Sequence, residues 1–338
     1  MPDPRLKTYA PQAVRHLAAA GGALAARQDL SGPARGNVPP WPGETEPDFH
    51  GTLSAIWVWA RHRGLSKTAR FDEPRALAWS FVLGRASHWI PDRIDSAATD
   101  EAAYDCALVL WAAAAERALG PVEARRQAVA DRAARVLAMH LGELESLGGR
   151  EFRDPAFLAL ALLEYARAAG DRGLAASGRK FVERAFGMKA PPPFATEPAG
   201  SGLFDFSSTT ATRVLAVMAA EGNTPFVGAW LRERVADGVP DGFVPRRLDE
   251  HCWNACVAWA LGRAYVVSTE RSFLVAYTEI MDELDRRDTD RDGALGRDRT
   301  VRSAETAATF YYALAVDALV TPESASLPLV SADGLAAT

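Results

Sequence analysis

The chain has 338 residues, of which 48% are hydrophobic and 24% are charged. Its formal net charge is −5 at pH 7, and the basic residues are scattered among acids, so no positive stripe indicates a nucleic-acid track. Three cysteines are too few for a disulfide framework, and the longest apolar run, 106–115, is too short to span a bilayer. We therefore expect a cytoplasmic protein with neither a nucleic-acid partner nor a membrane span.

Two kinds of helix are expected to alternate along the chain. Segments rich in Ala, Leu, Trp and Tyr have no polar face, which predicts inner helices buried on all sides. The segments between them have one apolar stripe and many charges, which predicts outer helices. In chain order, the expected elements are outer 9–27, inner 53–63, outer 73–88, inner 102–119, an outer helix after Pro121, inner 155–169, outer 171–186, inner 208–221, outer 224–235, inner 252–268, outer 270–286 and inner 303–320.

This alternation predicts the fold class. Its period of roughly 50 residues is that of a two-helix repeat unit. An open solenoid also alternates, but it normally has two amphipathic helices per repeat and polar capping repeats at both ends. The sequence therefore predicts an all-α (α/α)6 toroid of about twelve helices, six inner and six outer, forming one domain over 1–338.

Three stretches are expected to lie outside the helices. The proline-rich segment 31–49, which contains Trp41, and the segment 187–202 are irregular loops, because proline disrupts a helix interior. Long loops of this kind are either lids of a site or packing straps, and both alternatives stay open here. The residues from about 321 predict an extended tail.

An acidic turn follows the eleventh expected helix. Asp288, Asp290 and Asp292, followed by Gly293, repeat the spacing with which calcium loops direct carboxylates at one cation. The residue in the position of the usual bidentate glutamate is Arg299, so the alternative is a solvated acidic turn. We expect no required cofactor, with a structural Ca²⁺ at this turn as the one candidate metal.

Candidate catalytic groups lie just before inner helices. Asp249, Glu250 and His251 stand together there, near Arg246 and Arg247. A helix N-terminus favours carboxylates as caps, which explains one of these groups but not all of them. The alternative is a general acid with a clamp for a substrate oxyanion or carboxylate.

Further polar groups lie at other junctions of the same kind. They are Asp205, Arg302 and Glu305. Each alone is typical of a helix cap, but a closed ring brings such junctions to one rim, where distant acids flank one substrate bond. Aromatic residues on or before inner helices either stack on sugar faces or fill the core. They include Trp41, His50, Trp57, Trp111, Trp253, Trp259 and Tyr311.

One stretch of about 60 residues resembles the six-hairpin glycosidases of the glucoamylase and glycogen-debranching type. The similarity lies in Asp241-Gly-Phe-Val-Pro, Asp249-Glu-His-Cys-Trp-Asn, Trp259-Ala-Leu-Gly-Arg-Ala-Tyr and Asp288-Thr-Asp-Arg-Asp-Gly-Ala-Leu. The resemblance implies that Asp249 or Glu250 is the acid and that Glu305 is a candidate base. The chain departs from that family in being short and in lacking a second-acid motif.

The repeat also resembles the toroid of terpenoid cyclases and protein prenyltransferases. In that toroid, Asp-Gly or Gly-Gly turns precede Ala- and Leu-rich inner helices. The Asp-x-Asp-Asp acid of class II cyclases is absent from the sequence. The zinc ligands of prenyltransferases are only partly matched, by Asp249 and Cys252.

The sequence therefore favours a carbohydrate-active enzyme, a glycoside hydrolase or polysaccharide lyase, with paired carboxylates at the mouth of the barrel and an oligosaccharide or other small molecule as ligand. The alternatives are a toroid that binds an isoprenoid or lipid and a non-catalytic toroid that binds a ligand or a protein. The expected catalytic residues are Asp249, Glu250 and Glu305. The expected substrate-binding residues are Trp41, His50, Asp205, His251, Trp253 and Arg302.

Overall fold

A computed structural model describes residues 9–94, 100–147, 155–186, 208–221, 225–239, 251–296 and 305–320. Within these ranges the chain forms twelve α-helices and no strand. The helices are α1 (Tyr9–Arg27), α2 (Phe49–Ser66), α3 (Asp72–Trp89), α4 (Asp100–Arg117), α5 (Ala124–Leu147), α6 (Ala156–Ala169), α7 (Arg172–Phe186), α8 (Ser208–Glu221), α9 (Pro225–Arg234), α10 (His251–Ser268), α11 (Arg271–Arg287) and α12 (Thr306–Asp317). The expected all-α class and the twelve helices are confirmed.

The even-numbered helices contact one another in a closed circuit. Contacts run from α2 to α4, α6, α8, α10 and α12 in turn, and α12 contacts α2 again. Each odd-numbered helix packs against at least one member of this circuit. The arrangement is compatible with the expected toroid, with the even-numbered helices inside.

Burial follows the two sequence patterns. In α6 every residue from Ala156 to Leu163 is buried. In α7 the buried residues Gly178, Phe181 and Val182 lie on one face, at the spacing of an amphipathic helix. A helix that is apolar all round gains burial on all sides only inside the circuit, which explains why the two kinds of helix alternate.

Helix α2 begins four residues before the expected start. The Asp48 carboxylate accepts hydrogen bonds from the backbone N–H groups of His50 (3.1 Å) and Gly51 (2.9 Å), so it caps the helix. A Cβ atom at Gly51 would lie 2.6 Å from the Val38 carbonyl oxygen. The preceding loop therefore approaches α2 too closely for any larger residue at this position.

The loop before α2 also reaches α12. The carbonyl oxygens of Pro39 and Pro40 accept hydrogen bonds from the Thr306 hydroxyl (2.8 Å) and backbone N–H (3.0 Å). Asn37 accepts one from the Asp48 backbone N–H (2.7 Å). These bonds hold the loop across the N-terminal ends of α2 and α12, as expected of a packing strap.

The expected loop 187–202 and the tail from about 321 lie outside the described residues. The single-domain interpretation stays a prediction. Among the described helices, none combines the length and apolar character needed to cross a membrane.

Candidate functional site

Aromatic rings from three inner helices form a continuous stack. His50 of α2 stacks on Tyr104 of α4, with ring centroids 4.8 Å apart and planes 6° apart. Tyr104 stacks in turn on Phe157 of α6, at 4.8 Å and 16°. All three residues lie in the first two turns of their helices, so these helix N-terminal ends meet at one end of the circuit. We call this end the mouth.

A second group of rings extends from Phe157 across the circuit, since Phe157 also stacks on Trp111 of α4 at 6.2 Å between ring centroids. Trp111 of α4 contacts Trp259 of α10, at 5.6 Å between ring centroids, and Phe157 contacts Tyr311 of α12 at 6.2 Å. Each pair joins helices that are three steps apart in the circuit, so the rings reach across it. Burial raises the pKa of Tyr311 well above its ordinary value. These four residues form what we call the aromatic floor.

Two carboxyl groups near the mouth hold protons more tightly than ordinary aspartates. Burial raises the pKa of Asp105 to about 7, and the negative charges of Asp48 and Glu101 add to this rise. Burial also raises the pKa of Asp48 to about 6, against the opposing hydrogen bonds from the Gly51 and His50 backbone N–H groups. Asp105 directly follows Tyr104 on α4, and the charge of Asp48, which caps α2, acts on it, so a carboxyl group that titrates near neutral pH lies at the mouth end of the circuit.

Three of the residues expected from the sequence lie at this end. His50 belongs to the stack. Trp41 follows Pro40, whose carbonyl oxygen is bonded to the first residue of α12. Glu305 immediately precedes α12, and its backbone N–H donates to the Leu295 carbonyl oxygen at 2.8 Å.

The remaining expected site residues are not placed by the structure. Asp205, Asp249, Glu250 and Arg302 lie outside the described residues, and so do the side chains of His251 and Trp253 in the first turn of α10. Their assignment to a catalytic or substrate-binding role stays a prediction.

Sequence reasoning missed Asp105, Tyr104 and Phe157. Asp105 and Tyr104 directly precede the apolar run 106–115. At such a position the sequence alone indicates only that the acid ends the run and that the aromatic ring fills the core. The acid itself could have identified the site, because a carboxylate on a helix that is buried on all sides needs either a partner or a function.

The acidic turn after α11 brings its three carboxylates together. One carboxylate oxygen from each of Asp288, Asp290 and Asp292 lies within 4.8 Å of the others. Asp288 accepts hydrogen bonds from the backbone N–H groups of Asp292 (3.1 Å) and Gly293 (2.9 Å). Gly293 has φ +74°, and a Cβ atom there would lie 2.7 Å from the backbone nitrogen of Ala20, so the turn packs tightly on α1.

Proton affinity at this turn is raised as well. Burial is the main cause of the rise in the pKa of Asp288 to about 6, and the charges of Asp292 and Asp290 contribute to it. A divalent cation would relieve this repulsion, and oxygen ligands of this kind suit Ca²⁺. Calcium binding at these three residues stays a prediction.

Comparison of the chain with protein-family models, with curated proteins and with solved structures finds no match.

Proposed function

We propose that the chain is a carbohydrate-active enzyme, a glycoside hydrolase or lyase, which binds a sugar at the mouth. The observation that carries the proposal is that Asp105, with its raised pKa, lies in the first turns of α4 at the end of the circuit where the rings of His50, Tyr104 and Phe157 stack. A stack of flat rings offers apolar faces to a sugar ring, and a carboxyl group with a pKa near 7 is suited to general acid catalysis at neutral pH.

In the proposed reaction Asp105 donates its proton to the oxygen of the leaving group. Glycoside hydrolysis also requires a second carboxylate, to activate water or to attack the sugar. Glu305 is the first candidate, because it lies beside the strap at the N-terminus of α12. Asp48 is less suitable, because its carboxylate is occupied by two backbone N–H groups as the cap of α2.

The test is a screen of oligosaccharide cleavage with the wild type, Asp105→Asn and Glu305→Gln. We expect each variant to lose about 10²- to 10⁴-fold in kcat, the usual contribution of a general acid or base. The control is Glu73→Gln, an exposed acid in the first turn of α3, which should cleave at the wild-type rate. Cleavage by Asp105→Asn at the wild-type rate would remove Asp105 from the mechanism.

The stack is tested separately through binding. Tyr104→Ala should raise KM with a smaller change in kcat, because it removes a ring that contacts its neighbours on both sides. If KM for the cleaved sugar does not change, the stack is not the sugar platform.

A toroid that binds an isoprenoid is the second candidate, and the aromatic floor favours it. Trp111, Phe157, Trp259 and Tyr311 make the centre of the circuit aromatic, and such rings suit an apolar or cationic ligand. Quenching of tryptophan fluorescence by a farnesyl ligand, together with no cleavage of any oligosaccharide, would favour this candidate over the first.

A further inference from the structure

The outward faces of α5 and α7 carry a concentration of positive charge. Between 124 and 144 on α5 and along α7, the exposed charged side chains are six cations and one acid. The cations are Arg125, Arg135, Arg172, Arg179, Lys180 and Arg184, and the acid is Glu183. The chain as a whole has a net charge of −5, so this part of its surface has the opposite sign to the molecule. We call the six cations the basic face.

Helices α5 and α7 are neighbours that run in the same direction. The N-terminal ends of α4 and α6 meet at the mouth, where Tyr104 stacks on Phe157. A short connection leads from each of them to its outer helix, so α5 and α7 both start at the opposite end of the circuit. The two outer helices contact each other. Arg125 and Arg135 lie about 15 Å apart along α5, at about 1.5 Å per residue, so the basic face covers about three turns of two adjacent helices.

Most of the basic face is not neutralised by the protein itself. Across the described part of the chain, the side chains of its members other than Arg184 make no ion pair and no hydrogen bond. Acids nearby are engaged elsewhere, since Asp131 accepts a hydrogen bond from the Tyr165 hydroxyl at 2.8 Å and Glu143 pairs with Arg93 at 3.0 Å. Unpaired cations gathered on one surface attract an anionic partner and orient its approach.

The opposite side of the molecule lacks this positive charge. Trp111 of α4 contacts Trp259 of α10 across the circuit, so α11, which follows α10, lies on the far side from α5. The exposed charges on α11 are three acids and two arginines near its ends: Glu279, Asp282, Asp285, Arg271 and Arg286. An extended negative surface would therefore draw in the side formed by α5 and α7, although the net charge of the chain is negative.

An exposed apolar side chain lies beside these cations. Met139 is 49% exposed and follows Arg135 by one turn of α5. Basic clusters bind the headgroups of anionic lipids, and apolar side chains among them enter the boundary between headgroups and acyl chains. Peptides are commonly bound in grooves or at sheet edges. The basic face instead projects from the outward faces of two helices, which suits an extended surface.

We propose that the basic face binds the surface of a membrane rich in anionic phospholipids, with Met139 at the boundary between headgroups and acyl chains. The arginines and Lys180 contact the charged headgroups. The mouth lies at the ends of α5 and α7 rather than on their outward faces, so docking leaves it accessible. The proposal does not depend on the sugar chemistry proposed for the mouth.

The test is cosedimentation of the full chain with vesicles at low salt. The vesicles contain either phosphatidylcholine alone or equal parts of phosphatidylcholine and phosphatidylserine. We expect the wild type to bind only the mixed vesicles, and added salt should release it because screening weakens charge attraction. A variant that combines Arg135→Gln, Arg179→Gln and Lys180→Gln should bind about a hundredfold more weakly, since each cation contributes about fivefold.

The matched control combines Arg15→Gln, Arg271→Gln and Arg286→Gln. These arginines are exposed on α1 and α11, outside the basic face, and the net charge changes by the same amount as in the test variant. We expect the control to bind as the wild type does. If circular dichroism shows that the triple test variant is not folded, Arg135→Gln replaces it, with an expected loss of about fivefold.

A second measurement locates the contact. A polarity-sensitive dye is attached at Met139→Cys or at Val275→Cys on α11, where the native side chains are similarly exposed, at 49% and 46%. The labelled chains carry Cys252→Ser, and Cys106 and Cys256 are buried. We expect mixed vesicles to shift the emission of the dye at position 139 to the blue and to leave the dye at position 275 unchanged.

Three results would overturn the proposal. They are no binding of the wild type to mixed vesicles, equal losses in the test and control variants, and an equal response of the dye at the two positions. Binding of polyglutamate that the test variant loses, without binding of vesicles, would also overturn it and would identify an acidic polypeptide as the partner.

Discussion

Two carboxyl groups on α4, Asp105 near its start and Glu116 near its end, lie in opposite electrostatic surroundings. Asp105 lies near the mouth, where burial and the charges of Asp48 and Glu101 raise its pKa to about 7. Glu116 lies at the other end of α4, where it accepts a hydrogen bond from the Trp79 indole N–H at 3.1 Å and pairs with Arg75 and Arg126, each at 3.3 Å.

The difference separates a structural carboxylate from a reactive one. Glu116 joins α3, α4 and α5 through three donors, so its charge stabilises the outer layer. Asp105 is held in surroundings that oppose its charge, which is costly for folding and useful for proton transfer.

The largest expected effect on stability concerns Glu116, the structural carboxylate. Replacing Glu116 with Ala leaves two half-buried guanidinium groups and one indole N–H without their shared acceptor. We expect the free energy of unfolding to fall by about 3 kcal/mol, because Glu116 is the central acceptor of a buried charged network. Its two arginines then keep only the more exposed partners Asp72 and Glu123. Urea denaturation followed by circular dichroism measures this change.

The control for Glu116 is Glu123→Ala, which removes a more exposed partner of Arg126. We expect a change of about 0.5 kcal/mol or less, as for a surface ion pair. Equal losses in the two variants would contradict the structural role assigned to Glu116.

The next expected effect is the pH dependence of stability that Asp105 causes. The folded pKa of Asp105, about 7, lies above its ordinary value of 3.8, so the native state holds this proton over a range in which the unfolded state has lost it. Its contribution to stability is therefore complete below about pH 4 and is lost as pH rises towards 7. Asp48, with a pKa raised to about 6, contributes in the same direction.

Asp105→Asn isolates this contribution. The variant should be at least as stable as the wild type at pH 8, and its stability should fall less between pH 4 and pH 7. Urea denaturation midpoints from pH 4 to pH 8 measure both the stability at pH 8 and its change between pH 4 and pH 7. A steeper fall in the variant would mean that the Asp105 charge is favourable in the folded state.

The fold was largely predictable because its signal is repeated. Apolar character on all sides occurs six times along the chain, and the expected bounds of α1 and α8 agree with the observed helices. Errors lie at helix starts and ends, and the largest is at the start of α2. Helix α2 begins at Phe49 because Asp48 caps it, and a capping aspartate within a proline-rich loop is read as part of that loop.

The candidate site was less predictable, because the sequence does not show which inner-helix residues meet across the ring. His50, Tyr104 and Phe157 are far apart in sequence, and only the circuit of helices brings them into one stack. The raised pKa of Asp105 likewise depends on burial between helices and, to a smaller extent, on the charge of Asp48 at another helix junction. Local patterns identify caps and turns, whereas this site arises from contacts between repeats.

A third expected effect tests the acidic turn near the N-terminus of α12. If Asp288, Asp290 and Asp292 bind Ca²⁺, the ion stabilises the folded state by about 2.7 kcal/mol at a concentration 100 times its Kd. Thermal unfolding in calcium and in a chelator measures the shift, and Asp290→Asn should reduce it. Equal melting temperatures in the two conditions would identify a solvated acidic turn.

The smallest expected effect concerns two tryptophans, one bonded to the structural carboxylate Glu116 and the other in the aromatic floor. Trp79 donates its indole N–H to Glu116, so Trp79→Phe should cost about 2 kcal/mol, as for a hydrogen bond to a charged group. Trp111, in the aromatic floor, is 8% exposed, and its indole nitrogen has no hydrogen-bond partner in the described structure. In Trp111→Phe the loss of apolar contact is offset by removal of an unsatisfied donor, and we expect a change within about 1 kcal/mol. Urea denaturation of the two variants side by side gives the comparison. A large loss in Trp111→Phe would show that the floor depends on the full indole ring, and a small loss in Trp79→Phe would show that Glu116 is held by its arginines alone.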